Sequence, residues 1–75
     1  MTANLAQIET TSIRNTFGLL IFRLTLCHCS VVVERYTSRS GNAIPVRRIL
    51  ERTYGDSDAA AEAADRLVRK LRRMA

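Results

Sequence analysis

The longest alternation of apolar and polar positions in the chain lies between Leu20 and Cys27. One side of this segment is wholly apolar and carries Leu20, Phe22, Leu24 and Leu26. A period of two in β-favouring residue types predicts a strand whose apolar side faces the core. The other side is mixed, and Leu19, Ile21 and Cys27 make it too apolar for full exposure. We therefore expect a partner, most simply a second copy in a homodimer, to cover part of it.

Further strands are predicted on both sides of this segment. Residues 31–37 are rich in β-branched and aromatic types and predict a strand, and residues 4–13 predict one from Thr and Ile content. Residues 15–18 and 38–42 contain the turn-forming residues that would separate these strands. Together they predict a hairpin or meander that includes residues 18–37.

Residues 45–54 fit two structures. As a helix, Pro45 would occupy the first helical position and Gly55 would follow the last turn, with Val46, Ile49, Leu50 and Tyr54 on one face. As a strand, the segment would pair back across the Gly41 turn onto residues 31–37, although its alternation is imperfect. The way residues 52–56 lead into an Ala-rich helix favours the strand.

The last segment predicts an amphipathic helix from about Asp58 to Arg73, with Ser57 as its N-cap. Apolar residues recur every three or four positions at Ala60, Ala64, Leu67, Leu71 and Met74. Acidic residues near the start and basic residues near the end suit the helix dipole. The predicted fold class is α+β: a small antiparallel sheet of three to four strands packed by one C-terminal amphipathic helix. The length of 75 residues predicts a single domain, residues 1–75.

Residues 15–33 also raise the alternative of a transmembrane segment, because Arg23 is their only charge. A central arginine costs about 2.5–3.5 kcal/mol on insertion scales, which disfavours this alternative. We expect no secretory signal, because residues 1–9 contain no basic residue and no small-residue cleavage site follows the apolar region. Cys27 and Cys29 are expected to be reduced thiols, as is usual inside cells. These features predict a cytoplasmic protein without a membrane partner.

Cys27, His28 and Cys29 are the residues most able to carry chemistry. On a strand the two thiols would face one way and the imidazole the other, and the chain has no other Cys or His to complete a zinc site. A metal shared across a dimer is the remaining alternative. The single His has no neighbouring carboxylate in sequence, and the cysteines have no second base. We therefore predict no metal, no cofactor and no enzymatic activity.

The charge of the chain gives the strongest indication of function. The net charge is +5, and eleven of the twelve basic residues are arginine, which suits bidentate contacts with phosphates and carboxylates. Basic residues of the last helix form a stripe opposite its apolar face, and the arginines of residues 45–54 add to the positive charge. The candidate binding residues are Arg66, Arg69, Lys70, Arg72, Arg73, Arg47, Arg48 and Arg52. A solvated helix face with Glu62–Arg66 and Asp65–Arg69 ion pairs is the alternative interpretation.

These observations leave two hypotheses of different classes. The first is a small non-enzymatic basic regulator that binds nucleic acid or a nucleoprotein complex. The alternative is a protein-binding inhibitor or adaptor that acts on an acidic protein surface. In architecture and size the chain resembles many small prokaryotic and phage-type proteins, including some anti-CRISPR inhibitors. That resemblance concerns the fold alone, and a fold does not determine a function.

Overall fold

A computed structural model describes residues 8–75, which form four strands and one helix. The elements are β1 (Ile8–Arg14), β2 (Leu20–Cys27), β3 (Ser30–Arg39), β4 (Asn42–Thr53) and α1 (Ser57–Met74). The strands form one antiparallel sheet in chain order. This confirms the predicted α+β fold of a small sheet with a C-terminal helix. Residues 4–7 of the first predicted strand lie outside the described part of the chain.

Each strand ends at a turn whose residues suit it. Before β2, the Asn15 side chain accepts hydrogen bonds from the backbone N–H groups of Phe17 (2.9 Å) and Leu19 (3.0 Å). The turn between β3 and β4 consists of Ser40 and Gly41, both with positive φ (53° and 80°). Positive φ at both central residues is the two-residue hairpin turn whose twist matches that of the flanking strands.

Residues 45–54 belong to β4, so the strand interpretation is confirmed and the helix interpretation is wrong. The pairing with β3 skips two residues of β4, Val46 and Ile49. Each skipped residue is a bulge, which adds one residue to the strand and reverses the alternation beyond it. These two bulges are the physical reason why the sequence pattern looked imperfect. Pro45 is tolerated because β4 is an edge strand.

The core lies between one face of the sheet and α1. The fully buried side chains come from three strands and the helix: Ile13, Phe22, Leu24, Val31, Val33, Ala60, Ala64 and Leu71. Leu26 and Leu67 pack against this cluster while staying partly exposed. Ala60 and Ala64 allow the first half of α1 to lie close to the sheet, because their side chains add little thickness. Phe22, Leu24 and Leu26 of the apolar side predicted for β2 therefore face the core. The prediction was wrong at the start of the strand: the pairing of β1 with β2 skips Ile21, and this bulge brings Ile21 instead of Leu20 against the core cluster.

Two details of α1 differ from the sequence prediction. The N-cap is Asp56, whose carboxylate accepts a hydrogen bond of 2.7 Å from the Ala59 N–H, so the prediction of Ser57 was wrong. Both residues are favourable caps, and only the backbone path decides between them. Met74 was predicted in the apolar stripe but is 61% exposed, because the last turn extends beyond the cluster of buried side chains.

The segment that raised the transmembrane alternative forms strands. Residues 20–27 are β2, residues 28–29 are a turn, and β3 begins at Ser30. Within residues 8–75, no helix combines the length and the apolar character needed to cross a bilayer.

The β3–β4 hairpin projects beyond the rest of the sheet. β2 pairs with β3 only as far as Arg35, and from there β3 and β4 pair with each other alone. We call residues 35–47 the ribbon. From Arg35 to its tip the ribbon extends about 16 Å at roughly 3.3 Å per residue. The projection lengthens the molecule: its radius of gyration is 13.5 Å and its longest extent 44 Å, whereas a compact chain of this size has a radius of about 11 Å.

Candidate nucleic-acid interface

The basic stripe predicted on the last helix is exposed but partly balanced by acids. All five residues lie on the outside of α1: Arg66, Arg69, Lys70, Arg72 and Arg73. Arg66 donates to Glu62 at 3.4 Å and Arg69 donates to Asp65 at 2.8 Å. Among residues 8–75, Lys70, Arg72 and Arg73 form no ion pair. The helix therefore offers three unbalanced cations near its C-terminal end.

The three predicted arginines of β4 occupy different surroundings. Arg48 donates to Glu51 at 3.0 Å and is balanced locally. Arg52 pairs across the sheet with Val31, near the end that leads into α1. Arg47 lies at the base of the ribbon, exposed and without an ion pair in the described chain. The structure therefore does not gather these three side chains into one cluster.

The ribbon carries most of the net charge of the protein. Residues 35–47 contain three arginines and no acidic residue, whereas the whole chain has a net charge of +5. Arg35, Arg39 and Arg47 form no ion pair within residues 8–75. The positive charge is thus concentrated on the projecting part of the molecule.

The two faces of the ribbon differ in character. Cross-strand partners share a face, and one face holds the pairs Arg35–Arg47, Thr37–Ile44 and Arg39–Asn42. The opposite face holds the uncharged pairs Tyr36–Pro45 and Ser38–Ala43. All the arginines of residues 35–47 therefore lie on one face, which we call the cationic face.

The pair of Arg35 and Arg47 is unfavourable in the isolated protein. Residues directly opposite each other in an antiparallel pair have Cβ atoms about 4.5–5.5 Å apart, and like charges at that distance destabilise the sheet. Within the described chain, no carboxylate forms an ion pair with either guanidinium to relieve the repulsion. An external anion bound between the two side chains would relieve it.

The cationic face lies on the helix side of the sheet. Phe22 is buried in the core under α1, and Arg35 is its cross-strand partner, so both side chains are on the same side. Lys70 and Arg73 extend from the helix that covers this side. The cations of the ribbon and the unbalanced cations of the helix therefore belong to one side of the molecule.

Sequence reasoning missed Arg35 and Arg39. Both were treated as ordinary strand and turn residues, and only the residues beyond the Gly41 turn were counted as basic candidates. Pairing the predicted strand 31–37 with residues 45–54 would have placed Arg35 near Arg47. The two bulges of β4 hid the register and with it the cationic face.

The side of the sheet away from α1 is mixed, as the sequence predicted. Arg23 donates to the Tyr36 hydroxyl at 3.2 Å, and its guanidinium lies 5.6 Å from the centre of the Tyr36 ring. An open groove between the start of β2 and the ribbon is lined by the apolar Leu19, Ile21 and Val46 and by residues 35–38 of the ribbon, so it is bordered by both faces of the ribbon. Leu19 and Val46 are 44% and 56% exposed. This apolar groove is the second surface of interest.

The residues with potential metal or nucleophile chemistry are at the β2–β3 turn. Cys27 ends β2, whereas His28 and Cys29 form the turn itself, so the expected placement of all three on a strand was wrong. Both thiols are free and half-buried. His28 is exposed, and its backbone has a positive φ of 54°. Within residues 8–75, no three Cys, His, Asp or Glu side chains come together in a metal-binding arrangement.

Comparison of the chain with protein-family models, with curated proteins and with solved structures gave no match. A function must therefore be inferred from the surfaces of the chain itself. The cationic face of the ribbon is the most distinctive of these surfaces, because it combines projection, exposure and unbalanced charge.

Proposed function

We propose that this protein is a non-enzymatic regulator that binds nucleic acid, alone or within a nucleoprotein complex, through its basic side. The observation that carries the proposal is the cross-strand pair of Arg35 and Arg47, two exposed like charges without an ion-pair partner among residues 8–75. A polyanion removes the repulsion between them on binding. Such a pair costs stability in the free protein, which a binding role explains better than a structural role.

Phosphate groups are the anions that suit this surface. Arginine presents a planar fork of donors that matches phosphate oxygens, and Arg35, Arg39 and Arg47 are all exposed. Lys70, Arg72 and Arg73 supply a second set of cations from α1. Each phosphate that these residues neutralise releases condensed counterions, so binding becomes weaker as salt rises. The cytoplasm, which the two reduced thiols favour, is where we expect the protein to meet this partner.

Titration of labelled duplex and single-stranded oligonucleotides across a salt series tests the proposal. We expect binding at low salt, with log affinity falling linearly with log salt by about 0.7–0.9 per phosphate contact. The double change Lys70→Gln and Arg73→Gln should reduce that slope without unfolding the protein, because both side chains are exposed. A protein that binds neither oligonucleotide even at low salt would contradict the proposal.

The apolar groove supports a second candidate function, an inhibitor or adaptor that acts by protein–protein contact. Leu19, Ile21 and Val46 offer a partly exposed apolar surface beside the Arg23–Tyr36 contact. In this case Leu19→Ser should abolish capture of the partner protein, while nucleic acids show no measurable affinity at physiological salt. The salt titration therefore separates the two functions.

A further inference from the structure

We infer that the cationic face of the ribbon binds in the major groove of duplex DNA, with Arg39 and Asn42 directed at base edges and Arg35 and Arg47 at the flanking phosphates. The inference rests on the proposed nucleic-acid function and specifies both the form of nucleic acid and the role of each side chain. It follows from the dimensions, the charge and the residue types of the ribbon.

The dimensions of the ribbon match the major groove. Two paired strands have backbones about 4.8 Å apart, and the major groove of B-form DNA, about 12 Å wide and 8.5 Å deep, admits a two-stranded ribbon. A projection of about 16 Å is long enough to enter the groove while the sheet stays outside it. The minor groove, at about 6 Å, is too narrow, and the major groove of A-form RNA is too deep and narrow for side chains to read.

The residues nearest the tip have the chemistry that reads bases. Arg39 and Asn42 are cross-strand partners on the cationic face, immediately before and after the Ser40–Gly41 turn. Arginine pairs with the O6 and N7 acceptors of guanine, and asparagine pairs with N6 and N7 of adenine. Both side chains are exposed, and among residues 8–75 neither side chain makes a hydrogen bond that would compete.

The residues at the base of the ribbon are placed to contact phosphates. Arg35 precedes Arg39 by four residues on the same strand, which separates them by about 13 Å. When the tip lies at the floor of a groove about 8.5 Å deep, Arg35 stands about 5 Å above the groove edges, and its long side chain can extend down to the phosphates there. Arg35 and Arg47 are on opposite strands of the ribbon. Each can therefore reach the phosphates of a different DNA strand.

The opposite face of the ribbon is suited to lie away from the DNA. Tyr36 is engaged by Arg23 at its hydroxyl and its ring, and its cross-strand partner is Pro45. Ser38 and Ala43, nearer the tip, are small and uncharged. The opposite face therefore lacks the guanidinium and amide groups that the cationic face offers to a groove.

The first test compares probes for the wild-type protein. The probe is a labelled duplex of about 20 base pairs, two helical turns, selected with the protein from a random-sequence duplex pool. We expect it to bind more tightly than the duplex RNA of the same sequence. Replacing purine N7 by carbon removes a major-groove acceptor and should weaken binding, whereas replacing guanine by inosine, which removes the minor-groove amino group, should leave it unchanged.

The second test assigns roles to the two pairs of residues. Asn42→Ala and Arg39→Gln should each weaken binding to the selected duplex by about 5- to 150-fold, the range for one bidentate base contact. Asn42→Ala should do so with an unchanged salt slope, because it removes no charge. Arg47→Gln should instead weaken binding to selected and unselected duplexes alike and lower the salt slope by about 0.9.

The outcomes distinguish this inference from the proposed function. The protein could bind duplex DNA with full sensitivity to salt, yet with an affinity unchanged by Asn42→Ala, by Arg39→Gln and by the loss of purine N7. That result would overturn the groove assignment but not the proposal of nucleic-acid binding. Equal affinity for duplex RNA would overturn the groove assignment as well. Absence of binding to every nucleic acid at low salt would overturn both.

Discussion

At the residue scale, a few side chains in the core carry most of the stability of this short chain. Leu24 is 2% exposed at the centre of β2, where it pairs with Val33 and faces α1. Leu67 contacts the same cluster from the helix but stays half-buried. A chain of about this length buries only about 60% of its unfolded surface, so the loss of one such side chain is a large fraction of its stability.

We expect Leu24→Ala to lower the free energy of unfolding by about 2–5 kcal/mol, because it leaves a cavity among side chains that cannot collapse into it. Leu67→Ala should cost less, because Leu67 already contacts solvent. Urea denaturation of both variants measures the difference. Equal costs, or a larger cost at Leu67, would show that the helix packs on the sheet through a different face.

The helix cap offers a second test at the residue scale. Asp56→Ala should destabilise the protein by about 0.5–2 kcal/mol, because the Ala59 N–H loses its acceptor. Ser57→Ala should have little effect, since Ser57 is the first residue of α1 and not its cap. Thermal unfolding of the two variants side by side decides between the caps, and a larger effect at Ser57 would restore the assignment made from the sequence.

At the element scale, the sequence predicted β2, β3 and α1 as single alternatives, whereas for β4 it favoured a strand and left a helix open. Period-two and helical patterns are strong where one face of an element is buried, and Phe22, Val31 and Ala64 show such burial. β4 buries no side chain completely, so its pattern carried little information. Its bulges at Val46 and Ile49 then removed the remaining alternation.

The strength of the local sequence pattern also explains which parts of the candidate site could be predicted from the sequence. The helix stripe was visible because the spacing of Arg66, Arg69 and Arg73 follows the helical period without interruption. The cationic face was not, because it depends on which residue of β4 lies opposite which residue of β3. That register depends on two bulges and on the Ser40–Gly41 turn, which no local pattern specifies.

The outer part of the ribbon should be removable without loss of the fold. Tyr36 and Pro45 are cross-strand partners, so replacing residues 37–44 by Asn-Gly would close the hairpin with a two-residue turn. The shortened protein should keep its core, because every fully buried side chain lies outside the deleted segment. We expect a melting temperature close to that of the wild type and loss of the preference for the selected duplex, because Arg39 and Asn42 are removed, while Arg35 and Arg47 remain and keep salt-sensitive binding. An intact preference for the selected duplex in a folded, shortened protein would exclude the tip of the ribbon as the element that reads bases.

At the scale of the whole molecule, the helix side of the sheet and the groove are the two surfaces of interest. The helix side combines the core with the unbalanced cations, and the groove at Leu19, Ile21 and Val46 opens between the start of β2 and the ribbon. Direct pairing of two β4 edges is disfavoured by Pro45, by the bulges and by the arginines of that strand. We therefore expect a second copy to dock on the groove and not along β4.

We expect the protein to form a homodimer through this groove at high micromolar concentration. Leu19→Glu should convert it to a monomer, because Leu19 is 44% exposed in the free protein and a carboxylate buried there without a partner opposes the contact. Thr25→Glu, the same change of charge on β2 outside the groove, is the matched control. Light scattering measures the mass of each form, and a strictly monomeric wild type would exclude the dimer.

The central claim is that the unbalanced arginines of the ribbon bind the phosphates of nucleic acid. The most direct measurement compares the duplex DNA affinity of two double variants that have equal net charge. One carries Arg35→Gln and Arg47→Gln on the ribbon, and the other carries Arg66→Gln and Arg69→Gln on α1. The helix pair is already balanced by Glu62 and Asp65, so its loss should change duplex DNA affinity little. The ribbon variant should lose affinity and lower the salt slope by about 1.8, which corresponds to two phosphate contacts. Equal losses in the two variants would show that only overall charge matters and would contradict the account.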